Sequence, residues 1–315
     1  MHELLNSRHN LQIDPQLHIW GWEIAVYLFL GGLVAGIMII SGYFIFKGRA
    51  KNTGCSCHNT PFIALIAITL GMLALFLDLE HKLYFWRVYL SFKVTSPMSW
   101  GSWILLLVYP ILVFNTLIKL PHWLSKIFPI LKKLSEKINN NLSLIKFAGL
   151  FSMVIGTALG MYTGILLSTL SARPLWNSSM LWFLFLVSGL SSAAALIHMI
   201  AKDTEERVML AKTDNFLLFS ELIIIFLFII GLITSTQVHI DAAKLFLGGD
   251  YTVAFWVFVV FGGIVIPLII QSAAVRGRIH HTPIAPIMVI VGGLILRFVI
   301  VYAGQASHWT TKVLK

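Results

Sequence analysis

Charge is scarce in this sequence. Asp, Glu, Lys and Arg make up 11% of its 315 residues, against 58% hydrophobic. A water-exposed globule carries about 25% charged residues, so the composition excludes an ordinary soluble domain and indicates an integral membrane protein. Cysteine is nearly absent, with Cys55 and Cys57 the only two. Two thiolates do not hold an iron–sulfur cluster alone, and one intervening residue is a tight spacing for an unstrained disulfide. Acids are fewer than bases, 13 against 23, for a formal net charge of +10. The basic residues lie between apolar runs, which favours a topological signal over a nucleic-acid groove. No cleavable signal peptide is expected: residues 1–18 are polar, and the first apolar run is too long and aromatic for one.

What the sequence has in quantity is long apolar runs. A membrane span needs about 20 mostly apolar residues, and eight runs qualify: 19–46, 61–80, 100–118, 144–168, 179–201, 214–234, 252–275 and 283–303. The fold class is therefore all-α with eight transmembrane helices. An even number of spans puts both termini on one side. The loops after spans one, three, five and seven hold Lys47, Arg49 and Lys51, then Lys119, Lys126, Lys132, Lys133 and Lys137, then Lys202, Arg207 and Lys212, then Arg276 and Arg278, thirteen in all. The other side holds Arg8, Lys82, Arg87, Lys93, Arg173, Lys244, Lys312 and Lys315, eight in all. By the positive-inside rule the first side is cytoplasmic and both termini lie outside.

Several local signals qualify this layout. Gly32 and Gly36 form a G-x-x-x-G spacing that lets another helix approach closely. LFLVSGLSSA at 184–193 matches YLFLGGLVAG at 27–36 with Gly189 on Gly32, which indicates two parallel four-helix halves, 19–168 and 169–303, between outer segments 1–18 and 304–315. Cys55-Ser56-Cys57-His58 is one residue short of a c-type haem attachment motif and reads as a solvated loop. Ser96-Pro97 looks like a helix start, and Gly101 then leaves space for a ligand or a neighbouring backbone. PHWLSKIFPILKKLSEKI at 121–138 has the apolar and lysine pattern of a helix on cytoplasmic headgroups, interrupted at Pro129.

Chemically able residues gather at one membrane face. By span direction, His18, Trp22, Asp78, His81, Trp100, Trp103 and Tyr162 fall near one depth, with Arg173 just beyond. Trp20 reads as an interfacial anchor. Asp78 and His81 are three apart, hence neighbours on a continuous helix. A carboxylate and an imidazole beside aromatic rings offer a quinone head group hydrogen-bond partners, a proton acceptor and flat walls. The competing reading is a snorkelling network of Asp78 with Lys82 or Arg87. Deeper in the second half, Glu221 and Arg297 form a candidate buried polar or proton element, since ionisable groups inside lipid need partners or water. No metal site is expected, and no haem: the histidines cluster near the two boundaries, with no pair at matched mid-depth.

These residues resemble the NrfD-like family of membrane subunits, the family of the polysulfide reductase membrane anchor. The resemblance is carried by the aromatic and Gly-rich first span from Trp20 to Gly36, by DLEHKLYFWRVYLSFKVTSPMSWGSW from Asp78, by YTGILLSTLSARPLWNS from Tyr162 and by GGLILRFVIVYAGQ from Gly292. It spans nearly the whole chain. It implies a haem-free, eight-helix protein of a bacterial or archaeal cytoplasmic membrane that oxidises or reduces menaquinone or another quinone near the outer face. Its implied partners are an iron–sulfur subunit and, beyond it, a molybdopterin catalytic subunit, so that terminal reduction occurs in another chain. His18 and Asp78 are the quinone-site residues it implies, while Glu80 and His81 depart from the family's usual Gly and basic residue. The resulting expectation is a menaquinol-oxidising anchor of an anaerobic respiratory complex, with a secondary transporter or proton-translocating protein as the alternative.

Overall fold

The computed structural model describes residues 20–49, 55–56, 59–90, 92–118, 120, 126, 128–170, 173–278 and 282–309. Among these there is no strand, as a lipid environment demands of segments that must satisfy every backbone group internally. The elements are α1 (Trp22–Phe46), α2 (Thr60–Asp78), a 3-10 turn (Lys82–Tyr84), α3 (Arg87–Leu90), α4 (Pro97–Ile118), α5 (Pro129–Asn139), α6 (Leu142–Ser168), α7 (Met180–Ile200), α8 (Thr204–Ile233), α9 (Gln237–Lys244), α10 (Ala254–Val275) and α11 (Ile284–Ala306). Eight of them, α1, α2, α4, α6, α7, α8, α10 and α11, are long and apolar enough to cross a membrane.

Helix ends follow local chemistry. Ser96 O accepts from the amides of Ser99 and Trp100, so α4 starts at Pro97 as the Ser-Pro signal implies. Asn141 caps α6, its side-chain oxygen accepting from the Leu144 amide. Asp203 caps α8 through the Glu205 amide, and this helix therefore begins ten residues before the apolar run at 214. Hydropathy marks the part of a helix that meets lipid, whereas the cap marks where the helix starts. Pro129 likewise opens α5, while residues 121–125 and 127 lie outside the described residues. Asn139 ties the end of α5 to α4 by donating to Ile118 O. The first part of α10, Ala254–Val265, winds as a π-helix before Pro267.

Two further expectations are corrected. Asp78 is the last residue of α2 and Leu79 turns extended, with ψ 123°, so Asp78 and His81 do not share a helix face. Cys55 and Ser56 are buried and not solvated: both the amide and hydroxyl of Ser56 donate to Glu206, and Cys55 is disulfide-bonded, while Cys57 and His58 lie outside the described residues.

The centre of the bundle is α1, which packs against α2, α6, α7 and α11. Small residues set the closest approach. A Cβ on Gly189 of α7 would stand 2.6 Å from Gly32 O, and one on Gly36 would stand 2.6 Å from Gly189 O. The two glycines that match in the sequence therefore touch in the fold, and Gly32-x-x-x-Gly36 serves helix packing. The neighbours also repeat: α1 meets α2 and α6 as α7 meets α8 and α11, and α6 meets α4 as α11 meets α10.

Candidate functional site

A cavity of about 490 Å³ opens among the ends of α1, α2, α4 and α6 nearest the 79–96 connection. Trp20, just before α1, lines it together with Ile24, Tyr27 and Leu28 from one face of that helix. From α2 come Thr69, Met72, Leu73, Phe76 and, at its end, Asp78. The connection supplies Phe85, Val88 and Tyr89, α4 supplies Met98, Ser102 and Leu105, and α6 supplies Tyr162 and Leu166. The walls are apolar and aromatic, with few polar groups, which is the usual composition of a site for a flat organic ligand.

The polar groups are three phenols, one carboxylate and the hydroxyls of Thr69 and Ser102, which donate to Leu65 O and Ser99 O of their own helices. Tyr27 is 3% exposed and Tyr162 6%; their hydroxyls are hydrogen-bonding neighbours, and Tyr89 faces both. Burial raises the Tyr89 phenol above its ordinary value, with Tyr109 adding to the effect, so it is a neutral donor at physiological pH. Asp78 has Glu23 as its charged neighbour, and among the described residues no ion pair joins it to Lys82 or Arg87. The Arg87 guanidinium lies 4.5 Å from the Tyr84 ring centre. Asp78 also borders a second, outward recess of about 630 Å³ lined by Leu77 to Tyr84, and so stands between the apolar cavity and the loop surface.

The structure brings Asp78 and Tyr162 together and places the other sequence candidates elsewhere. His81 lines the outward recess, because α2 ends before it. Trp22 is 51% exposed and does not line the cavity. Trp100 donates its indole N–H to Val94 O at 2.6 Å, and Trp103 meets the Phe92 ring edge-on at 5.3 Å, so both hold the 92–98 connection against α4. Arg173 donates to Ser307 O and contacts His308, at the end of the second half. His18 lies outside the described residues.

Trp20, Tyr27 and Tyr89 are the members that sequence reasoning missed. Trp20 lines the cavity and stacks on the fully buried Trp176 at 5.0 Å, while Gln305 donates to its carbonyl. Trp20 precedes α1, and only Ile24, Tyr27 and Leu28 share a helix face, so no spacing in the sequence singled these aromatics out.

Glu221 and Arg297 meet through α7. The Arg297 guanidinium donates to Ser188 Oγ at 2.7 Å and to Phe185 O at 2.9 Å, and stacks 4.5 Å from the Phe185 ring centre. Ser188 also faces Glu221, which interacts electrostatically with Arg297. One serine thus joins the two charges from a third helix.

The family model described as "Polysulphide reductase, NrfD" matches residues 10–308. The sequence is 31% identical over 301 residues to the C polypeptide of polysulfide reductase from Wolinella succinogenes, covering 91% of this chain and 94% of that one. It is 30% identical over 312 residues to protein NrfD of Escherichia coli, covering 92% and 96%. The C polypeptide of selenate reductase from Mesobacillus selenatarsenatis is 25% identical over 323 residues, covering 92% of this chain and 75% of the relative. With eight apolar helices and a family match over nearly its whole length, this multi-pass membrane protein belongs to the NrfD family.

Proposed function

We propose that this chain is the quinol-oxidising membrane anchor of a respiratory oxidoreductase, with the cavity at Tyr27, Asp78 and Tyr162 as its quinone site. The observation that carries this reading is the position of Asp78, which lines both the apolar cavity and the outward recess. The residues fit the ligand: flat aromatic walls suit a ring and a lipid tail, and phenol hydroxyls suit its oxygens. Menaquinol or another quinol, when bound, supplies two electrons and two protons. Tyr27 and Tyr162 orient a ring oxygen by hydrogen bonding. Asp78 takes the two hydroxyl protons in turn and passes each to the recess before the next arrives, where Glu80, His81 and solvent receive them.

The names of the relatives, polypeptides of polysulfide and selenate reductases, support an assembly in which an iron–sulfur subunit takes the electrons and a molybdopterin subunit performs terminal reduction. In this reading the recess faces outward across a bacterial or archaeal cytoplasmic membrane, both termini lie on that side, and the protein is free of haem. The near-contact of Gly32 with Gly189 and the repeated neighbour pattern support two parallel four-helix halves, 19–168 and 169–303. A transporter would purify without such redox subunits.

The decisive experiment is Asp78→Asn, which keeps the side-chain shape but is not a proton acceptor at neutral pH. Quinol oxidation is expected to fall by about 100-fold or more in a complex that still assembles. Full turnover in the assembled variant would reject the role. Loss of assembly would instead favour a structural role for Asp78.

A further inference from the structure

Among the described residues, α8 buries three carboxyl groups: Glu206, at its start, accepts from Ser56, and Asp214 and Glu221 lie deeper, in the core that holds the Arg297 guanidinium. Asp214 and Glu221 lie two turns apart on one face of α8, 1% and 3% exposed, and Arg297 of α11 is 1% exposed. Glu221 has its compensating charge in Arg297, through Ser188. Asp214 has no such counterpart among the described residues.

The surroundings of Asp214 can be taken element by element. From α7, Ser191 donates its hydroxyl to Oδ1 at 2.6 Å. From α10, the Gln271 amide donates to Oδ2 at 2.7 Å. Along α8 itself the nearest ionisable groups on this face are Glu206 and Glu221, both acidic, while Lys212 points to the surface. Arg297 of α11 is engaged at the level of Glu221, and the imidazole of His198 is two turns from Ser191 along α7. Two neutral donors do not offset a full negative charge in a water-poor interior.

A second observation points to the missing charge. Gln271 is 2% exposed, and while its Nε2 faces Asp214, its Oε1 has no hydrogen-bond partner among the described residues. A primary amide offers either face to the same neighbour by a half-turn of its terminal torsion. Facing a carboxylate it presents Nε2, and facing a carboxylic acid it presents Oε1, which then accepts the acid O–H. The amide is thus suited to both charge states of the group it touches.

We propose that Asp214 is the seat of one exchangeable proton, which completes the charge balance of the Arg297 core, with Gln271 turning its amide as the proton enters and leaves. The step is Asp214 carboxylate plus H⁺ giving the carboxylic acid, with no other bond made or broken. A sodium ion fits less well. It needs several oxygen ligands, and even with the Gln271 amide turned, the side chains on Asp214 add only Ser191 Oγ and Gln271 Oε1 to its own carboxylate. The site is separate from the cavity at Asp78 and does not depend on what that cavity binds.

Infrared spectroscopy of the intact protein, ¹³C-labelled at aspartate and reconstituted in lipid, tests the proposal. The expected result is an aspartic-acid C=O band that shifts in D₂O and is absent from Asp214→Asn, a variant that keeps the volume, accepts from Ser191 through Oδ1, and donates Nδ2–H to Gln271 once that amide presents Oε1. Should that variant fail to fold, carbodiimide labelling of the wild-type protein replaces it, because the reagent modifies protonated carboxyls in apolar surroundings. Mass spectrometry should then find the adduct on Asp214. A spectrum with only ionised aspartate, or an acid band that D₂O leaves unmoved, would overturn the proposal. So would replacement of the acid band by a carboxylate band when sodium is substituted for potassium at constant pH, since the seat would then hold a metal ion.

Discussion

Gly101 of α4 lies directly against the phenol of Tyr162 of α6, so that a Cβ at position 101 would collide with the ring carbon bearing the hydroxyl and with the hydroxyl itself. The space that the sequence leaves at the mouth of α4 is filled by a side chain, not by a ligand or a backbone. Gly101→Ala is expected to push Tyr162 off its position while leaving every polar group of the cavity present. Quinol turnover should fall about tenfold, the effect of one misplaced hydrogen bond. In a double-mutant cycle Gly101→Ala should cost little further activity once Tyr162 is Phe. Additive losses would show that the two residues act independently.

Tyr27→Phe and Tyr162→Phe remove one hydroxyl each and keep the aromatic wall. Each should lower kcat/KM for quinol about tenfold. Steady-state kinetics across quinol concentrations provides the check, and unchanged kinetics in both variants would remove the phenols from the site. Trp22→Phe, whose side chain lies outside the cavity, should leave these parameters unchanged.

At the centre of the bundle, Gly189→Leu forces a side chain into the backbone of α1 at Gly32, where even a Cβ has no room. A loss of at least about 1–3 kcal/mol is expected from overpacking, read as a lower thermal transition in detergent. Gly231, near the end of α8, has no atom within 4 Å of a Cβ position. Gly231→Ala is the control, expected to be neutral or to stabilise by up to about 1 kcal/mol through helix propensity.

The orientation is testable in intact cells with single cysteines at Ser7 and Asn140, introduced after replacing Cys55 and Cys57 by serine. A membrane-impermeant thiol reagent should label position 7 and spare position 140. The reverse pattern would invert the topology.

Much of this protein is written in its sequence because lipid is a severe solvent. A backbone that must satisfy its own hydrogen bonds over about 20 apolar residues has one solution, so eight helices could be read directly, as could the Ser96-Pro97 start of α4 and the packing role of Gly32 and Gly36. Asp78 was legible for the same reason, since an ionisable group at the end of an apolar run stands out. Which aromatic residues join it was not. Trp20, Tyr27 and Tyr89 look like the many other aromatics of an apolar sequence, and only the crossing of α1 with α2 and α6, with α3 folded over them, turns those three toward one cavity. Trp100 and Trp103 have the same chemistry and a suitable depth, yet the helix rotation set by packing points them at the 92–98 connection. The second half makes the point most sharply. Glu221 and Arg297 announced themselves as charges in lipid, but Ser188 and Gln271, ordinary residues in sequence, become their partners and that of Asp214 through contacts between helices far apart along the polypeptide. Hydropathy is local and survives in the sequence, whereas the face a side chain presents is fixed by the neighbours against which its helix packs.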